Sequence, residues 1–146
     1  MGFLPINAYT RGVPESSQDL PISPPRAWAE VSYGNLVHNY AVARKHGEIM
    51  AVLKAGAYGH GLEAIAACFE NMPPDQAPTF LGVASVIEAR GLADAGIQTR
   101  IYLLGPTCPF EREEIVSRRW TPCVSSVEEA RDFDRLVQSR DHEPLP

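Results

Sequence analysis

The chain has 146 residues, 45% of them hydrophobic and 21% charged, with a net charge of −5 and a pI near 5.3. That makeup is of a globular domain with a core of its own and excludes a disordered chain. The acidic balance, with basic residues scattered, argues against a nucleic-acid partner.

No stretch approaches the roughly 20 apolar residues of a membrane span. The start, MGFLPINAYTRGVPESS, lacks the basic opening and apolar segment of a secretory signal. Cys68, Cys108 and Cys123 are odd in number and widely spaced. They form neither a metal clip nor a disulfide ladder, so small buried hydrophobes in a reducing cytoplasm are expected. His38, His46 and His142 have no metal-ligand spacing, and no metal site is expected.

Residues 1–25 read as a flexible Pro-rich tail, because LPISPP places proline where a sheet would need N–H donors. Residues 26–140 read as the folded unit and 141–146 as a second tail. AWAEVS alternates apolar and polar residues and reads as a short strand. Ser32 is then placed to cap a helix with Leu36, Tyr40 and Ala43 on one face, ended by Gly47.

From there a pattern repeats. The run IMAVL precedes a helix with Leu62, Ile65, Ala66 and Phe69 on one face. FLGVA precedes a helix opened by Ser85 and Glu88 as a capping box and closed by Gly96. IYLLG precedes a helix near Glu111 to Arg119, with Pro109 in its first turn. TPCVS precedes a helix with a second box, Ser125 and Glu128, and the stripe Val127, Ala130, Phe133 and Val137.

Strand, turn and helix in this alternation mean βα units and a parallel α/β sheet. The runs are apolar on both faces, as strands covered on both sides are. Length alone favours an open doubly wound sheet, since a (β/α)8 barrel needs about 250 residues.

The first apolar run ends in AVLKAGAYGHG, residues 51–61. Its glycines follow G-x-x-G-x-G, which is neither the dinucleotide nor the P-loop spacing, so a nucleotide loop fits poorly. Lys54 itself sits where the strand ends, the end at which parallel folds place ligands. Apolar neighbours there disfavour the ammonium form, and a neutral amine condenses with aldehydes and ketones; the alternative, which composition does not decide against, is a surface lysine on a glycine-rich turn. Tyr58 is within reach of a phosphate or ring on the same loop. His60 reads as a turn residue bonding backbone, Glu88 as a helix cap, and Arg44 with Lys45 as a solvated helix end.

With AWAEVSYGNLVHNY before it and FLGVASVIEARGLADAGIQTRIYLLG after it, this stretch resembles the N-terminal barrel half of alanine racemases, enzymes that depend on pyridoxal 5′-phosphate (PLP). The resemblance runs from about Arg26 to Val137, and its core is K-A-x-A-Y-G-H-G from Lys54 to Gly61. It implies a partial (β/α)8 TIM barrel of about four βα units. Lys54 would carry PLP as a Schiff base and serve as general base on one substrate face. Tyr58 would bond the cofactor phosphate.

The opposite face would be served by a tyrosine from the C-terminal β domain of a partner subunit, so a homodimer is expected of the full-length family. The implied activity interconverts L- and D-alanine in the cytoplasm, supplying D-alanine for peptidoglycan. These residues lack that domain and the later barrel strands, so they are expected to be part of a racemase and inactive alone, with strands 1 and 4 open along their edges. The departure within the motif is Gly56, where the family has Asp or Asn. Loss of that side chain is expected to loosen the turn. Two further readings remain: a PLP-binding barrel of the cofactor-homeostasis or decarboxylase type, and a non-catalytic fragment.

Overall fold

The structure, a computed structural model, describes residues 30–140 and Leu145. The elements are α1 (Tyr33–Arg44), β1 (Met50–Val52), α2 (Lys54–Tyr58), α3 (Leu62–Glu70), β2 (Phe80–Val83), α4 (Val86–Asp94), β3 (Ile101–Leu103), a 3-10 turn (Pro109–Glu111), α5 (Arg112–Ser117), β4 (Thr121–Pro122) and α6 (Val127–Ser139). Four strands fall where four apolar runs lie in the sequence.

They form one parallel sheet in the order β1-β2-β3-β4. Met50 pairs with Phe80, Leu81 with Ile101, and Tyr102 with Thr121. Each strand is laid beside its predecessor, which is how a (β/α) barrel grows; a doubly wound sheet reverses direction at a switch point. Strand order therefore decides between the two architectures that the repeat alone leaves open. It is the first half of a barrel wall.

Local chemistry explains most boundaries. The Ser32 hydroxyl accepts the Asn35 N–H at 3.3 Å and starts α1, with Tyr40 buried against Phe69 at a ring separation of 5.2 Å. Ala43, expected on the same face, is exposed. Leu62, Ile65, Ala66 and Phe69 are all buried on α3. Ser85 caps α4, and Gly96 takes the left-handed conformation that ends it. Residues 30–32 carry no strand, and the rest of AWAEVS lies outside the described residues, as do both expected tails except Leu145, which packs against the core.

Two expectations need correction. The last helix is capped by Ser126, not Ser125, and the glutamate in its first turn that bonds the cap is Glu129, not Glu128. Val127 and Ala130 are exposed, while Glu129 and Phe133 face inward. A hydrophobic stripe cannot reveal this, because the inward position in the first turn is held by an acid with polar partners. The second correction concerns the sheet. Among the described residues, helices cover only the face bearing Leu53, Leu81, Val83, Ile101 and Leu103. On the other face Met50 is exposed, and Val52, Phe80 and Tyr102 are half-buried. That is the face a barrel turns toward its interior.

Gly105 marks where the turns after β2 and β3 come closest. A Cβ there would stand 2.5 Å from the Ala84 carbonyl oxygen, a backbone atom that cannot swing aside. Gly105→Ala is expected to lower stability by about 1–3 kcal/mol, the range for overpacking, measured as a shift in the urea midpoint. An unchanged midpoint would mean the two turns are not packed this closely.

Candidate active site

Chemistry in a barrel belongs at the C-terminal ends of the strands. β1 ends at Val52, Leu53 is buried, and Lys54 follows immediately, exposed to solvent. The apolar surroundings expected for its side chain are not supplied by the described residues. Its amine makes no hydrogen bond or ion pair within them and is open to a reactant.

The turn that carries Lys54 has the opposite hand to an ordinary helix. Ala55, Gly56 and Ala57 have φ/ψ of 54/44, 64/39 and 53/47°, Tyr58 has φ 54° and Gly59 φ 84°. For a residue with a Cβ, this conformation costs roughly 1–2 kcal/mol. Ala55, Ala57 and Tyr58 together hold strain on the order of 3–6 kcal/mol. Strain of this kind persists only where the surroundings enforce it, and it gathers at functional sites. Gly56 is the residue that adopts it freely.

The surroundings that enforce it are visible. Ala57 N–H donates to Leu53 O at 2.7 Å, His60 N–H to Ala57 O at 3.0 Å, and Gly61 N–H to Gly56 O at 2.9 Å. The His60 ring Nδ1 lies 2.9 Å from Ala57 O, so His60 braces the turn through backbone as expected. The Glu88 carboxylate reaches across from α4: Oε1 accepts the Ala55 N–H at 2.6 Å and the Gly56 N–H at 3.4 Å, and Oε2 accepts the Ala84 N–H at 2.8 Å. The looser turn expected from Gly56 is therefore not what the structure has. Glycine relieves backbone strain, and the brace comes from a side chain on another element.

Tyr58 is 61% exposed. It borders a largely apolar cleft of about 340 Å3 with Leu53, Ala57, His60, Leu36 and Tyr40. Lys54 is not in that lining. A larger cavity of about 500 Å3 is lined by Gln98, Thr99, Arg100, Arg119 and Trp120. Those residues precede β3 and β4, at the end of the sheet opposite Lys54, so size does not make it the site of chemistry.

A second polar cluster stands where the chain leaves β3 and β4, and sequence reading missed it. Glu129, only 4% exposed, accepts the Thr107 hydroxyl at 2.7 Å, the Ser125 N–H at 2.8 Å and the Ser125 hydroxyl at 2.9 Å. Arg112 lies 3.7 Å away and also pairs with Asp132. The Ser125 N–H, then the Thr107 hydroxyl, hold the Glu129 carboxyl below the ordinary glutamate range against the opposing effect of burial. The signal that could have found it was the Ser126-to-Glu129 spacing. Among the described residues no group of three His, Cys, Asp or Glu could hold a metal, and no helix is long and apolar enough to cross a membrane.

A parallel sheet built in sequential order, with a lysine on the turn after its first strand, defines a (β/α)-barrel half with a lysine amine at the C-terminal rim. The family model for the alanine racemase N-terminal domain matches residues 31–145, and the chain belongs to that family. Alanine racemases of Synechocystis sp. and Methylacidiphilum infernorum are 36% and 37% identical over 117 and 118 residues, covering 77% and 78% of this chain. The chain spans about 30% of the length of each.

Among solved structures, a histidine racemase from Leuconostoc mesenteroides superposes with a TM-score of 0.64 at 32% identity, over 74% of this chain and 29% of that one. An alanine racemase from Bartonella henselae with covalently bound pyridoxal phosphate superposes with a TM-score of 0.65 at 25% identity, over 77% of this chain and 33% of that one.

The Glu129 cluster gives a pH test. A carboxyl whose folded pKa is depressed stabilises the fold above its unfolded pKa, about 4.3 for glutamate, and that contribution fades as pH falls through the lower folded value. Wild type is expected to exceed Glu129→Gln in urea stability at pH 7, and the gap should narrow steadily on acidification below about pH 4.3. A gap that stays constant to the acid limit would show that Glu129 contributes through shape and not charge.

Proposed function

We propose that this chain is the lysine-bearing barrel half of a PLP-dependent amino-acid racemase, acting on a small amino acid, with alanine the first candidate. The observation that carries the reading is the solvent-open Lys54 amine, without a partner among the described residues, on an enforced left-handed turn at the C-terminal rim of a sequential parallel sheet.

The residues present fit the cofactor. Lys54 offers a primary amine for covalent attachment to its aldehyde. The Tyr58 side chain, exposed on the same turn, offers a hydroxyl that can donate to a phosphate oxygen. PLP, when bound, supplies an electron sink that eases removal of a substrate α-proton. The part of this chain is then to orient and to move a proton. The Lys54 amine would take the α-proton from one face as general base. Inversion needs a second proton carrier on the other face, which in this proposal comes from a partner subunit in a homodimer. Cys108 is exposed and Cys68 and Cys123 are half-buried, so none is the buried hydrophobe expected, while their free state supports a reducing cytoplasm as the site of action.

The chain contains only one other lysine, Lys45, which gives the test an internal control. Incubation with PLP, reduction with borohydride and peptide mapping should place the label on Lys54 and leave Lys45 bare. Lys54→Ala should melt at the wild-type temperature and take no label. Label on Lys45 alone, or none on a folded sample, would sink the reading. Tyr58→Phe is expected to weaken PLP retention about tenfold, the loss of one hydrogen bond to a charged acceptor; equal retention in a binding titration would remove Tyr58 from the site.

A further inference from the structure

Glu88 looks like an ordinary capping residue in the sequence, and its N–H does bond the Ser85 hydroxyl, but the hydrogen bonds of its carboxylate lie elsewhere. A capping-box glutamate bonds the N–H of its own N-cap residue. Here the carboxylate passes over Ser85 and takes the N–H of Ala84, the last residue before the cap, through Oε2. Its other oxygen takes the N–H groups of Ala55 and Gly56, the two residues directly after Lys54. These N–H groups open a left-handed turn, so the ladder within the turn cannot satisfy them, just as the first N–H groups of any helix lack internal acceptors. One anion thus collects donors from the ends of β1 and β2. Hydrogen bonds to an ionised acceptor are stronger than neutral ones.

The same device recurs two βα units further on. Glu129 occupies the same place relative to its cap, Ser126, takes the N–H of the preceding Ser125, and reaches the turn after β3 through the Thr107 hydroxyl. Two helices along one rim therefore send a first-turn carboxylate back to a neighbouring turn. At β1 that turn carries the reactive lysine.

We propose that Glu88 is a positioning residue for Lys54: by holding the Ala55 and Gly56 N–H groups it keeps the strained turn left-handed and sets where the lysine leaves β1. The proposal rests on the reading that Lys54 is the reactive amine. Glu88 need not touch cofactor or substrate. Its effect reaches the amine through the backbone of the two residues that follow it. The chain has glycine at 56, where no side chain can brace the turn from within, so among the described residues the brace from α4 is the one between side chain and turn besides His60.

The test uses the 146-residue chain and two readouts. Amide hydrogen exchange followed by NMR should show Ala55 and Gly56 exchanging about tenfold faster or more in Glu88→Ala, with core amides such as Ile65 and Leu92 unchanged. In the same variant, PLP labelling of Lys54 relative to Lys45 should fall about tenfold. Glu88→Gln, which keeps one oxygen acceptor, should lie between wild type and Glu88→Ala in both. Wild-type exchange at Ala55 and Gly56 in Glu88→Ala would overturn the proposal, and so would protection lost evenly across the chain. If Glu88→Ala does not fold, Glu88→Gln decides: selective exposure of the two amides supports the brace, and unchanged protection overturns it. If wild type takes no PLP at Lys54, the function proposed above fails, while the exchange result still rules on the brace.

Discussion

After β1 the chain must turn sharply while delivering a lysine to the rim, and it does so through a run of left-handed residues that three side-chain-bearing positions do not adopt willingly. That constraint organises what surrounds it. Gly56 and Gly59 sit where the backbone is free to take positive φ. Leu53 and Ala57 are buried below and within the turn, so it cannot relax outward without exposing core. His60 and Glu88 take up the backbone groups that a reversed turn leaves over. Local strain of a few kcal/mol is a large fraction of a domain's net stability. It is tolerated because the core on one side and a carboxylate on the other both oppose its release.

The features legible in the sequence are those whose causes are near in the chain. Ser32 and Ser85 cap their helices because each hydroxyl needs only an N–H three residues ahead. The α3 stripe from Leu62 to Phe69 shows because its period follows directly from helix geometry. What was not legible depends on distant partners. The acceptor for Ala55 N–H comes from a glutamate in the next βα unit, and periodicity carries no trace of it. The handedness of α2 was hidden for another reason: a glycine-rich stretch announces freedom, and one conformation is selected by the packing of Ala57, the bonds to Leu53 and Gly56, and the contacts from His60 and Glu88. The cap of α6 was misplaced by one because adjacent serines and adjacent glutamates, Ser125-Ser126 and Glu128-Glu129, offer two equivalent boxes. The box that forms is the one whose carboxylate meets Thr107 on another turn and Ser125 beside the cap.

The sheet face opposite the helices carries a similar lesson about the core. Gly82 lies there between Met50 and Leu104, and a Cβ on it would stand 3.2 Å from Leu104 Cδ1 and 3.4 Å from Met50 Sδ. Large residues thus close over a small one from neighbouring strands. Phe80 and Tyr102 meet edge to face at 6.1 Å beside them. Alternating large and small residues across adjacent strands is how a barrel interior fills in layers. An apolar run cannot distinguish a strand covered by helices on both sides from one that faces helices outward and a barrel interior inward. Register distinguishes them, since the pairing puts Met50, Phe80 and Gly82 on the face away from Leu81 and Val83.

Glu88 and Glu129 join these observations into one principle of construction. A side chain in the first turn of a helix points back toward the helix N-terminus. In a βα unit that direction leads to the rim, where the turns after neighbouring strands converge. A carboxylate there is favoured by the helix dipole and finds N–H and hydroxyl donors that those turns leave unsatisfied. The rim is therefore stitched laterally, unit to unit, while the strands are paired along their length below it. Lys54 stands on a stitched turn. Its backbone position is set by contacts from two βα units, whereas its amine is left without a partner among the described residues, so the turn holds the main chain in place and leaves the nitrogen free to move.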